Sequence, residues 1–157
     1  MDDATLAGLF TTRGISHALA GRWPEGAAYH REAARAGADH SRRAGARNDL
    51  AIAVMNLVQA LLMTGDWDTA EAELAQALDA DGLADIESLA CYRAWLAALR
   101  GDTPTAQAIL AGLADLRASE DTQDQANVAV AEALTVAARG QPADALRCAR
   151  AALSQAP

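Results

Sequence analysis

Three histidines (His17, His30 and His40) and two cysteines (Cys91 and Cys148) have the widest chemical reach in this 157-residue chain. A structural zinc site wants Cys and His ligands in close pairs, about two to four residues apart. No Cys–His spacing here has that form. His30 and His40 fall ten residues apart, on or just beyond one helix, too far to share an ion. A serine or cysteine nucleophile needs a positioned base, and the pattern offers none. The glycines are spaced as helix punctuation, not as a phosphate-cradling loop. These residues therefore predict no catalytic group, no metal site and no cofactor: a protein that is not an enzyme. The two cysteines read as small helix-packing residues.

Other functions must then come from a surface, and composition limits which. Half of the residues are apolar (52%) but only 4% are aromatic, and counting gives 42 Ala, 13 Arg and no Lys. An apolar share made largely of methyl groups favours helices over strands. The formal net charge of −8 argues against nucleic acid and against an anionic membrane surface as partners. The start, Met1-Asp2-Asp3, lacks the positive charge of a signal peptide. The longest apolar stretch, Leu50 to Met63, is too short to span a bilayer. Two cysteines are no disulfide framework, so the expectation is a cytoplasmic protein with reduced thiols. Length predicts one domain over residues 1–157.

The elements that carry the surface repeat along the chain. Gly21-Arg22-Trp23-Pro24-Glu25-Gly26 is echoed by Gly65-Asp66-Trp67-Asp68-Thr69-Ala70. Gly101-Asp102-Thr103-Pro104-Thr105-Ala106 and Gly140-Gln141-Pro142-Ala143-Asp144-Ala145 follow. The leading glycines are 44, 36 and 39 residues apart, the range of helical-hairpin repeats. Each leading Gly ends a helix in a left-handed turn. Pro24, Pro104 and Pro142 then sit just inside the next helix, Thr103 and Asp66 are suited to cap theirs, and Thr122-Gln123-Asp124-Gln125 has the form of a capping box. Eight helices in four antiparallel pairs are predicted, over 4–43, 48–80, 84–118 and 123–155, the third pair being 84–100 with 104–118. Leu50, Val54, Leu57, Val58, Leu61 and Leu62 recur at helical spacing in the third helix. Trp23 and Trp67 hold the same place in two turns and are expected to wedge between helices.

Asn56-Leu57 with Leu61, Gly65, Trp67, Ala70, Leu74 and Ala77-Leu78 resembles the tetratricopeptide repeat. Gly14, Gly21, Tyr29 and Ala33 give the first pair a fair match, and the last two pairs are degenerate. The units are longer than the family's usual one. Ala- and Arg-rich units of this kind resemble repeat arrays at the C-terminal ends of bacterial multidomain signalling and transcriptional regulators. The resemblance implies a right-handed superhelical all-α array in which the first helix of each pair lines a concave wall.

Mapped onto that wall, Ile52, Met55, Asn56, Gln59, Leu62 and Met63 come from the second pair, and Ser88, Cys91, Tyr92 and Trp95 from the third. Thr11, Thr12 and Ile15 would join them from the first, and Asn127, Val130 and Leu134 from the fourth. Met adapts to many surfaces, and Tyr and Trp are frequent interface anchors. The expected function is a protein-interaction module or scaffold holding a peptide or protein segment there. Two rivals stay open. One is a homodimer sharing the same wall. The other is a small-ligand sensor of a regulator, with a pocket between Asn56, Gln59, Tyr92 and Trp95. Receptors of this family that clamp a C-terminal carboxylate use lysines, and this chain has none. Arg31, Arg35, Arg42, Arg43 and Arg47, with His30 and His40, form a basic stretch that reads either as a dock for an acidic partner or a phosphate, or as a solvated helix face.

Overall fold

The computed structural model describes residues 3–45, 47–79, 83 and 87–154, without the side chains of residues 3, 42–44 and 152–154. All regular structure among them is helical. The helices are α1 (Asp3–Leu19), α2 (Trp23–Ala44), α3 (Arg47–Thr64), α4 (Trp67–Asp79), α5 (Glu87–Leu99), α6 (Thr103–Ala111), α7 (Ala114–Arg117), α8 (Thr122–Ala138) and α9 (Pro142–Ser154). The chain divides into two compact units, Met1–Asp85 and Ile86–Pro157, so the first two predicted pairs lie in one unit and the last two in the other.

The turns follow the expected physics. Gly21, Gly65, Gly101 and Gly140 all take left-handed backbone with φ between 74° and 80°, a region that costs glycine nothing. Gly45 does the same after α2, at φ 71°. Two caps differ by one residue from the expected ones. Asp102, not Thr103, accepts a bond from the Thr105 amide at 3.2 Å. Asp121, not Thr122, accepts from the Gln123 amide at 2.8 Å. A carboxylate is the stronger acceptor for the bare N–H groups of a helix start and suits the dipole as well.

In the first unit α2 packs on both α1 and α3, and α3 on α4. Helix α3 is nearly engulfed: Leu50, Ala51, Ala53, Val54, Leu57, Val58, Ala60, Leu61 and Leu62 are all buried. Close approach of α1 and α2 depends on Gly14, where an added Cβ would stand 2.5 Å from the His30 ring. In the second unit α8 is central, packing on α5, α6, α7 and α9. The predicted helix over 104–118 is broken. Helix α6 stops at Gly112, whose amide bonds back to Ile109 O at 3.0 Å, a tightened last turn. Glycine is a poor helix former, and the break turns Leu113 and Leu116 inward, to 4% and 9% exposure. Ser119 then ties the turn to α8: its hydroxyl donates to Asp124 Oδ2 at 2.9 Å and accepts from the Asp121 amide at 3.1 Å.

Candidate functional site

Residues 100° apart around an α-helix place Ile52, Met55, Asn56, Gln59 and Met63 on one side of α3. That side is the part of α3 left uncovered. Ile52 is 47% and Met63 57% exposed, and the three residues between them are half-buried. The strip has apolar ends and two amides at its centre. It carries no charge, the nearest carboxylates in the chain being Asp49 before it and Asp66 after it. Leu57, Val58 and Leu61, on the opposite side, hold the helix rigidly in the core. The strip is thus a fixed, uncharged ridge able to bury apolar side chains and to hydrogen-bond a backbone.

Tyr92 and Trp95 lie in the other unit and are placed differently. They are only 3% and 7% exposed. Their rings meet at 4.9 Å between centroids, and Trp95 Nε1 donates to the carbonyl of Asn127 on α8 at 3.0 Å. They are core residues of the second unit rather than an open wall. Burial, with the Cys91 thiol beside it, pushes the Tyr92 phenol up to about 12. Burial, with the charge of Asp124, does the same to Cys91, also to about 12. Both stay protonated at neutral pH, and a thiol held so is a poor nucleophile. Asn127 is buried too, while Val130 stays 40% exposed on α8 and Leu134 is half-buried.

On α1, Ile15 is 40% exposed, Thr12 is exposed with its hydroxyl bonded to Gly8 O, and Thr11 is half-buried. The arginine stretch is largely neutralised where its side chains are described. Arg31 pairs with Glu73 of α4 at 3.8 Å, and Arg35 with Glu32 one turn away. Both line a cleft of about 510 Å³ floored by Leu50 and Val54, with Asp39 and Gln76 on its rim. The side chains of Arg42 and Arg43 lie outside those described.

The sequence reading missed one cluster. Tyr29 of α2 stacks on His17 at 5.1 Å, approaches Phe10 at 6.5 Å and lies 5.4 Å from the Arg13 guanidinium. Phe10, Arg13 and His17 are spaced i, i+3, i+7, and that pattern was the available signal. The cluster clamps α1 to α2, and Arg22 Nε adds a bond to His17 Nδ1 at 3.1 Å. His30, on the same helix pair, is 2% exposed; its Nδ1 lacks a partner, and burial lowers its pKa from the usual value.

No family model, no curated protein and no solved structure matches the chain. Among the described residues no three His, Cys, Asp or Glu side chains are grouped to hold a metal ion, and no helix is long and apolar enough to cross a membrane.

Proposed function

We propose that this chain is a helical-repeat interaction module whose partner, a peptide or protein segment, docks on the uncovered side of α3. One observation carries the reading. A helix buried on nearly all sides leaves a single uncharged strip, and Ile52 and Met63 remain 47% and 57% exposed at its ends. Water beside large apolar groups is displaced favourably by a partner's apolar side chains, at roughly 25 cal/mol per Å². Asn56 and Gln59 orient the segment by bonding its backbone, and Met55 and Met63 adapt to its shape. Tyr92 and Trp95 are outside the contact set under this reading. The similarity to tetratricopeptide repeats supports it through the helix–turn–helix pattern and the left-handed Gly65 turn, and it extends to a place among bacterial regulators.

The test is a selection of random displayed peptides on the full chain, with an Ile52→Glu, Met63→Glu double variant as counter-selection. Both residues are exposed, so the variant keeps its fold, which circular dichroism checks. Enriched peptides that bind the native chain and not the variant are expected. Failure to enrich any peptide that distinguishes the two contradicts the reading.

A further inference from the structure

The charge around the α3 strip narrows the partner. From Arg47 through Asp66 the ionisable residues are Arg47, Asp49 and Asp66, and Arg47 lies about 140° round the helix from Ile52, away from the strip. Asp49 lies one helical turn before Ile52, and Asp66 three residues beyond Met63; both are exposed. The strip itself is uncharged. A segment docking there therefore meets an uncharged strip about 16 Å long, from Ile52 to Met63, with a carboxylate beyond each end.

Resting on the docking role of that strip, we infer that its occupant is a short amphipathic segment with an apolar centre and a Lys or Arg at each end. The end charges pair with Asp49 and Asp66, and the centre covers Ile52, Met55 and Met63. Complementary charge at the rim of an apolar patch chiefly steers encounter and fixes register. The same layout disfavours a second copy of this chain. An antiparallel pairing of α3 with its twin would set Ile52 against Met63, a good apolar match. It would also set Asp49 against Asp66 at both ends, between two chains of net charge −8.

Two labelled peptides of about 16 residues, long enough to cover the strip as a helix, test the inference. They share a Leu/Ala centre and end in paired lysines or paired glutamates. Fluorescence anisotropy with the full chain should show the Lys-ended peptide binding at least ten-fold more tightly, and less so as salt screens the ends. Asp49→Lys with Asp66→Lys should reverse the preference. Asp49→Asn with Asp66→Asn, which keeps shape and removes charge, should level it. Ile52→Glu with Met63→Glu should abolish binding. Equal affinity for the two peptides, still lost in that last variant, overturns the charge assignment and leaves the docking role standing. Binding of neither peptide at millimolar concentration overturns the assignment, and the displayed-peptide selection then judges the docking role separately. A chain that is dimeric in light scattering and becomes monomeric on Ile52→Glu with Met63→Glu overturns both.

Discussion

Asn56 and Gln59 on α3, and Tyr92 and Trp95 on α5, come from the same register of two helix pairs, 36 residues apart, yet they end in different surroundings. The α3 residues stay half-buried between the exposed Ile52 and Met63. The α5 pair is covered: α8 packs on α5 and supplies the Asn127 carbonyl that satisfies the indole N–H of Trp95. A large aromatic with one polar tip is stable in a core once that tip has a partner. Two amides and two thioethers in a row offer no equivalent; burying the amides without partners would cost free energy. Spacing along a helix therefore identifies a face. Whether a neighbouring helix covers that face depends on packing between elements distant in sequence.

Substitutions on the two faces should separate them by size of effect. Trp95→Ala removes a buried ring pair and its bond to Asn127, and is expected to cost about 3–5 kcal/mol, read as a fall in urea midpoint. Gly14→Ala tests the other close contact. The new methyl would stand 2.5–2.7 Å from the His30 ring, and overpacking of this kind costs about 1–3 kcal/mol, again read from denaturation. If both effects were under about 0.5 kcal/mol, the level of ordinary surface changes, these contacts would not be core contacts.

His30 adds a pH dependence to the first unit. Burial lowers its folded pKa, so the unfolded chain takes up the proton more readily. Stability is then highest above pH about 6.5, where both states are neutral, and falls as pH drops below that value. It levels off once the pH is under the folded pKa. The slope contributed is at most one proton, about 1.4 kcal/mol per pH unit. Urea melts from pH 7.5 to 5.5 should show it, and His30→Leu should remove it. An unchanged slope in that variant would place the titration elsewhere.

A smaller effect belongs to the helix starts. Asp102→Ala removes the acceptor for the Thr105 amide and is expected to cost about 1 kcal/mol, measured as a shift in thermal midpoint. Ile52→Glu with Met63→Glu should be smallest of all, since surface changes on exposed groups stay within about 0.5 kcal/mol each. A large loss of stability there would mean that the strip is packed rather than open.

Much of the helical layout was legible because it is local. Gly21, Gly65, Gly101 and Gly140 ended helices as their turns required, and the prolines opened the following ones. The break at Gly112 was missed because the apolar spacing through Leu110, Leu113 and Leu116 continues across it. The caps slipped by one residue because Asp precedes Thr at both starts, and either can serve. The side of α3 that carries the strip could be read from its position in the repeat; that it stays uncovered could not, since the uncharged run between Asp49 and Asp66 includes the buried side as well. The burial of Tyr92 and Trp95 could not, since it depends on Asn127, which is 32 residues away from Trp95. The clamp on Tyr29 was half legible: the spacing of Phe10, Arg13 and His17 marks a face of α1, but not the α2 residue that meets it.

Absolute mass by size-exclusion chromatography with light scattering, over a wide range of concentrations, tests the central claim most directly. A docking strip left open for a different partner predicts a monomer of 16.3 kDa at every concentration. A dimer that forms with rising concentration and is lost in the Ile52→Glu, Met63→Glu variant would show that α3 is covered by its own twin, and would contradict the account.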